Sequence, residues 1–298
     1  MLKKAVVLGI IMVLGATLMA DFIYDFQEAQ KLLGQKKNIE AKEAFMKISE
    51  AAPNTLIKAK CLAYAATALS NDKKYDYDEA LELAKAITDK PISINCQMEI
   101  YLANRDSGKL KDALEAFKGE DIAAWPDNID YKGFWNRGQI GFYTKNYEDA
   151  AKDLNLAAEN AGSDTMLKLH ALNLLGSTWM ALKDEQKALD AYKQAAASNY
   201  GKGHWTQIDS AIQAAKILTK QAKYDEALKI FELNDKVTTG VWGFLYLEAY
   251  GDLLKAQGKE KEANEKYDAA LALDGVHAGW VKNLKEKRGL SSNKKGND

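Results

Sequence analysis

From Leu167 to Tyr200 the chain reads LKLHALNLLGSTWMALKDEQKALDAYKQAAASNY. Its apolar positions predict one helix ending near Leu182 and a second beginning near Glu185, with a short polar turn between them. Gly176, Trp179, Ala188, Tyr192 and Ala195 follow one another at gaps of 3, 9, 4 and 3 residues. The gaps have a physical reading. Antiparallel helices approach closely only where side chains are small, and Gly176 and Ala188 provide that. Trp179 and Tyr192 fill the space around the approach, and Ala195 lies on the same helical face as Ala188.

The small residue near the start of the second helix recurs along the chain, at Ala41, Ala80, Ala113, Ala150, Ala188, Ala227 and Ala263, with intervals of 39, 33, 37, 38, 39 and 36. Such a beat predicts stacked helix hairpins, each unable to bury its apolar face without neighbours. The first, about 22–54, adds Phe45, Ile48 and Pro53. The second, about 57–92, ends at Pro91 after a turn lengthened by NDKKYDYDEA. The third, about 94–127, has Gly108 in its turn, then Phe117, and ends at Pro126. All 3 prolines thus punctuate the frame, where a helix stops. The fourth, about 131–163, carries Gly138, Leu154 and Ala157, with Gly141 in an aromatic place that Phe142 or Tyr143 offsets. The sixth, about 208–238, has Ala215 and Phe231, and Asn234 in a place normally small. The seventh, about 244–276, has Gly251, Tyr267 and Ala270. YDEAL at Tyr77–Leu81 and Tyr224–Leu228, and YEDA from Tyr147, mark one turn-to-helix junction, its acids facing the helix dipole. A closing helix is expected over 278–289.

On these residues the chain resembles the tetratricopeptide repeat (TPR) family, whose 34-residue helix-turn-helix unit carries G, Y, A, F and a further small residue at this spacing. Trp179 stands in the tyrosine place and Tyr192 in the phenylalanine place. The resemblance implies an all-α fold: a right-handed superhelical solenoid of about seven hairpins with a C-terminal capping helix. It also implies that ligands bind the concave surface lined by first helices. The inward places are then Phe26, Gln30 and Leu33 in the first repeat; Met98 and Arg105 in the third; Trp135, Gln139 and Phe142 in the fourth. Asn173, Ser177 and Met180 follow in the fifth, Lys216 and Thr219 in the sixth, and Glu248 and Asp252 in the seventh. A groove mixing Trp135, Phe142 and Met180 with amides and charges suits a peptide.

Composition is that of an ordinary folded chain, 47% hydrophobic and 28% charged over 298 residues, with a formal net charge of -1 that makes no case for nucleic acid. Lys3 and Lys4 precede an apolar run to Ala20. This is the pattern of a secretory signal peptide, placing the protein in the periplasm or outside the cell; the alternative is an uncleaved N-terminal membrane anchor, the one expected link to a membrane. The expected division is 1–20 signal peptide, 21–290 solenoid with capping helix, 291–298 disordered tail. Cys61 and Cys96 read as two buried, unpaired thiols, with a disulfide as the alternative.

No chemistry is assembled. His170, His204 and His277 lie far apart along the chain without the i+3 or i+4 partner of a zinc pair. Glu248 and Asp252 sit one turn apart on what reads as a solvated face. Gly201-Lys202-Gly203 lacks phosphate-loop spacing and reads as a connection between repeats. No metal, cofactor or catalytic group is expected. The reading is a non-enzymatic scaffold or assembly factor in the bacterial cell envelope that binds a protein or peptide. The alternative is a glycan-binding or cell-wall-polymer-binding module that stacks sugars on inward aromatics.

Overall fold

The computed structural model describes residues 22–52, 54–70, 77–104, 106–198, 203–233 and 239–290. Among them there are α-helices and no strand. The helices are α1 (22–34), α2 (Asn38–Glu50), α3 (Thr55–Ser70), α4 (Tyr77–Lys85), α5 (Lys90–Asn104) and α6 (Ser107–Phe117), then a 3-10 turn at Ile122–Ala124 and α7 (Asp130–Tyr143). There follow α8 (Tyr147–Asn160), α9 (Thr165–Ala181), α10 (Glu185–Ala196), α11 (Trp205–Lys220), α12 (Tyr224–Leu233), α13 (Gly240–Ala256), α14 (Glu260–Leu271) and α15 (Ala278–Lys287). The chain divides into two compact units between Asn146 and Tyr147, so the division falls inside the fourth hairpin of the sequence frame.

Within each unit consecutive helices pack on one another, as in an α-solenoid, and so do alternate ones. In the first unit α3, α5 and α7 lie side by side; in the second α9, α11 and α13 do the same. These are the first helices of the hairpins. The second helices carry the marker alanines, and all seven are at most 1% exposed. The aromatic four residues on is equally withdrawn at Phe45, Phe231 and Tyr267. Glycine does the rest. A Cβ added at Gly251 would come within 2.4 Å of the Tyr267 ring, so the bare backbone of the first helix is the seat of the second helix's aromatic.

The turns share one geometry. Lys36, Lys145, Lys183 and Ala222 all sit at positive φ, 56–66°, as does Gly258 at 77°. In each case that residue's N–H and the next one's return to carbonyls of the helix just ended, as Lys183 does to Met180 and Asp184 to Trp179. This is the Schellman closure, which satisfies the last helix carbonyls. After Lys183 the next helix starts on a side-chain cap, Asp184 accepting from the Lys187 N–H at 3.1 Å, whereas α2 and α14 start at Lys37 and Lys259 without one.

Two details of the frame change. Pro91 does not end a repeat; it lies in the first turn of α5, where its missing N–H is not needed. Gly108 is inside α6, its N–H donating to the Asp106 cap. The expected signal peptide, Pro53, the lengthened turn at 71–76, Gly201, Lys202, Asn234 and the tail from Ser291 lie outside the described residues. Among those described, no helix is long and apolar enough to cross a membrane.

Candidate binding face

In the first unit the expected inward residues divide. Phe26 is a packing residue, its ring 5.4 Å from Phe45 and 5.3 Å from Tyr64. Leu33 joins the same apolar cluster. Gln30 is exposed and donates to the Tyr64 hydroxyl at 3.3 Å. Met98 is fully buried and offers nothing to a ligand. The reason is the setting of α5, which packs against α3, α4, α6 and α7. Arg105 lies outside the described residues. Trp135 and Phe142 are half-buried, Phe142 edge-on to Tyr143 at 5.6 Å.

Polar side chains stitch these first helices together. Asn136 of α7 donates to Asn95 of α5 at 2.9 Å, Asn95 donates to Glu99 at 2.9 Å, and Gln139 donates back to Asn136 at 3.3 Å. Glu99 keeps an exposed edge, but protein packed around its carboxyl shields it from water. That burial pushes its carboxyl above the usual carboxylate range, against the amide bonds from Asn95 and Asn136 and the charge of Lys132.

The second unit repeats the device. Asn173 of α9 donates to Asp209 and to Ser210 of α11, both at 2.9 Å, and Gln213 donates to Asp209 at 3.0 Å. Ser177 donates to the Asn173 carbonyl and lies 3.0 Å from the Tyr192 hydroxyl. Thr219 bonds back to Ala215 within its own helix. Met180 and Lys216 are exposed. Glu248 and Asp252 are not merely a solvated pair: Lys287 of α15 donates to both, at 2.7 and 2.9 Å, and Tyr267 donates to Asp252 at 2.8 Å. Beside them a cavity of about 200 Å³ opens between α11, α13 and α15, with Asp209, Lys216 and Trp242 in its wall.

Histidines far apart in sequence meet here. The His170 and His204 rings lie 5.4 Å apart, Trp205 sits 5.7 Å from each, and Trp242 stacks on Trp205 at 5.7 Å. His170 also lies 3.0 Å from the Thr206 hydroxyl, and the Thr206 N–H donates to His204 Nδ1 at 3.3 Å. The sequence reading missed this ladder by looking for ligands one helical turn apart. The signal was the repeat length itself, since His204 follows His170 by 34 residues and Trp242 follows Trp205 by 37. Among the described residues no three His, Cys, Asp or Glu converge as metal ligands.

A family model agrees with this plan over α11–α15. Residues 206–287 match the family model described as a tetratricopeptide repeat-like domain. No curated protein matches the chain. Among solved structures, Pseudomonas aeruginosa PilF is 15% identical, covering 91% of this chain and 99% of its own, with a TM-score of 0.48. A tetratricopeptide repeat protein from Parabacteroides merdae is 13% identical, covering 90% and 98%, with a TM-score of 0.44. The tetratricopeptide repeat-like match thus covers α11–α15, and the helix hairpins before it follow the same plan.

Proposed function

We propose that this protein is a non-enzymatic scaffold or assembly factor of the bacterial cell envelope, binding a protein or peptide along its first-helix face. The fold is that of interaction scaffolds, which offer extended surfaces built from one helix per repeat. One observation carries the reading: α9, α11 and α13 lie side by side and present exposed Met180, Lys216 and Trp205 beside polar groups fixed by hydrogen bonds. Rigid aromatics among oriented polar groups are what a polypeptide partner needs. The envelope location rests on Lys3 and Lys4 ahead of the apolar run to Ala20. Crosslinking mass spectrometry in the native envelope tests both parts. Crosslinks from Lys132 or Lys216 to one envelope protein are expected. Crosslinks confined to second-helix lysines such as Lys152 and Lys193 would sink the reading.

A second reading, glycan binding, draws on Trp205, 46% exposed and stacked on Trp242. Tryptophan fluorescence that shifts with soluble wall fragments, and not with peptides, would favour it.

A further inference from the structure

We propose that the cavity between α11, α13 and α15 is a receptor for an arginine side chain of the partner polypeptide. The inference rests on the reading that a polypeptide lies along this face. It follows from the three carboxylates and the indole that share the cavity wall.

Three carboxylates line it, Asp209, Glu248 and Asp252. A carboxylate offers about four lone-pair sites. Asp209 takes N–H bonds from Asn173 and Gln213, Glu248 takes one from Lys287, and Asp252 takes bonds from Lys287 and Tyr267. More than half of the acceptor capacity therefore remains. Within the wall, Lys287 serves two of these carboxylates and the Gln213 amide the third. An occupant that brings donors can use the rest.

Lys287 shows what the carboxylates hold, since it places an ammonium between Glu248 and Asp252 from within the chain. The rest of the wall selects the shape. Trp242 presents an indole already fixed by stacking on Trp205, and Ile212 and Leu245 supply apolar surface for an aliphatic stem. A guanidinium is planar, carries five N–H donors and no acceptor, and stacks on indole faces. A volume of about 200 Å³ lies below the roughly 300–1,000 Å³ of small-molecule pockets, so the site takes one side chain and not a whole cofactor. The exposed Lys216 is the opposing element. It disfavours a cation, and an acidic partner would use it, so its removal has opposite effects on the two kinds of ligand.

The experiment uses the full chain and three fluorescein-labelled peptides built on Gly-Ser-Arg, Gly-Ser-Lys and Gly-Ser-Glu repeats, read by fluorescence anisotropy. The arginine peptide is expected to bind tightest, ahead of the glutamate peptide by about tenfold or more, and more weakly as salt rises. Trp242→Ala should lose about tenfold for the arginine peptide, with the helical circular dichroism unchanged. Lys216→Ala should strengthen that binding. Tighter binding of the glutamate peptide, loss of arginine-peptide binding in Lys216→Ala, or no arginine-peptide binding at ~1 mM overturns the proposal. The two levels fail separately. A native partner crosslinked to this face through a segment without arginine removes the arginine receptor alone, while a face without crosslinks removes the scaffold reading beneath it.

Discussion

Gly176 of α9 lies directly under the ring of Tyr192 of α10. A Cβ placed on Gly176 would come within 2.6 Å of Cδ1 and Cε1 of that ring. Tyr192 is 3% exposed, its hydroxyl 3.0 Å from Ser177, so the ring is held at both ends. The contact sets the separation of the hairpin, and Gly251 under Tyr267 repeats it.

Gly176→Ala should therefore destabilise, although alanine is the better helix former by about 1 kcal/mol. The overpacking is expected to cost a net ~1–3 kcal/mol, and the same holds for Gly251→Ala and for Ala188→Leu on the facing helix. Chemical denaturation reads it. A rise in the midpoint of Gly176→Ala would show that the ring moves freely and does not set the hairpin spacing.

The turns make the opposite prediction for glycine. Lys183 and Ala222 hold φ of 64° and 56°, where a Cβ is strained. Lys183→Gly and Ala222→Gly should each gain about 0.5 kcal/mol, the relief of strain being partly offset by glycine's larger entropy loss. Midpoints that fall in both variants would mean that these side chains contribute more than their backbone strain.

Acid should loosen the start of α11. Burial, and then the neighbouring His204, hold the His170 imidazole below its ordinary value of 6.5, while Asp164 acts the other way. The unfolded chain thus takes up a proton there more readily than the folded one. The stability this group contributes is complete above about pH 6.5 and is lost as pH falls through the lowered folded value. His170→Asn removes the titrating ring. Its denaturation midpoint should fall less between about pH 7.5 and about pH 5 than that of the unaltered chain. An equal fall in both would exclude His170 as a source.

Lys287 ties α15 to α13. Burial acts to lower its pKa, but the hydrogen bonds to Glu248 and Asp252 outweigh it and raise the ammonium above 10.5. This contribution is fully present below the ordinary lysine value and lost only as strong alkali passes the raised one. The three side chains are 25–42% exposed, so solvent screens the attraction. Lys287→Met should cost about 1 kcal/mol at low salt and less in high salt. A cost independent of salt would assign the effect to packing.

Both thiols should resist alkylation. Cys61 and Cys96 are buried and unbonded. Burial pushes the Cys61 thiol up to about 11 against a backbone hydrogen bond, and burial with the charge of Glu99 raises Cys96 further. At neutral pH iodoacetamide should label neither until guanidinium unfolds the chain. Rapid labelling of the folded protein would show that the first unit opens.

The hairpin frame was legible because a contact inside one hairpin is written at short range. Ala188, Tyr192 and Ala195 share a face of one helix, and the glycine opposite is reached through a turn of a few residues. The roles of Trp179 and Tyr192 as packing residues followed from the same spacing, and Tyr192 is indeed core. Single-residue outcomes were less legible. Lysine carries no mark for positive φ, so the turn residues Lys36, Lys145 and Lys183 were silent. Met98 was expected on the surface because its place in the repeat was counted without the four helices that enclose α5.

The sequence by itself determined the number of hairpins, the small residues where their helices touch and the closing helix, because these depend on the helical period and on side-chain volume. Only the tertiary structure decided which side chains from neighbouring hairpins meet: His170 with His204, Trp205 with Trp242, Asn173 with Asp209, Lys287 with Glu248 and Asp252. Those pairs are separated by a whole repeat, and their meeting depends on how far each hairpin rises and turns on the last. That displacement comes from the summed packing of many side chains, and no single spacing in the chain records it.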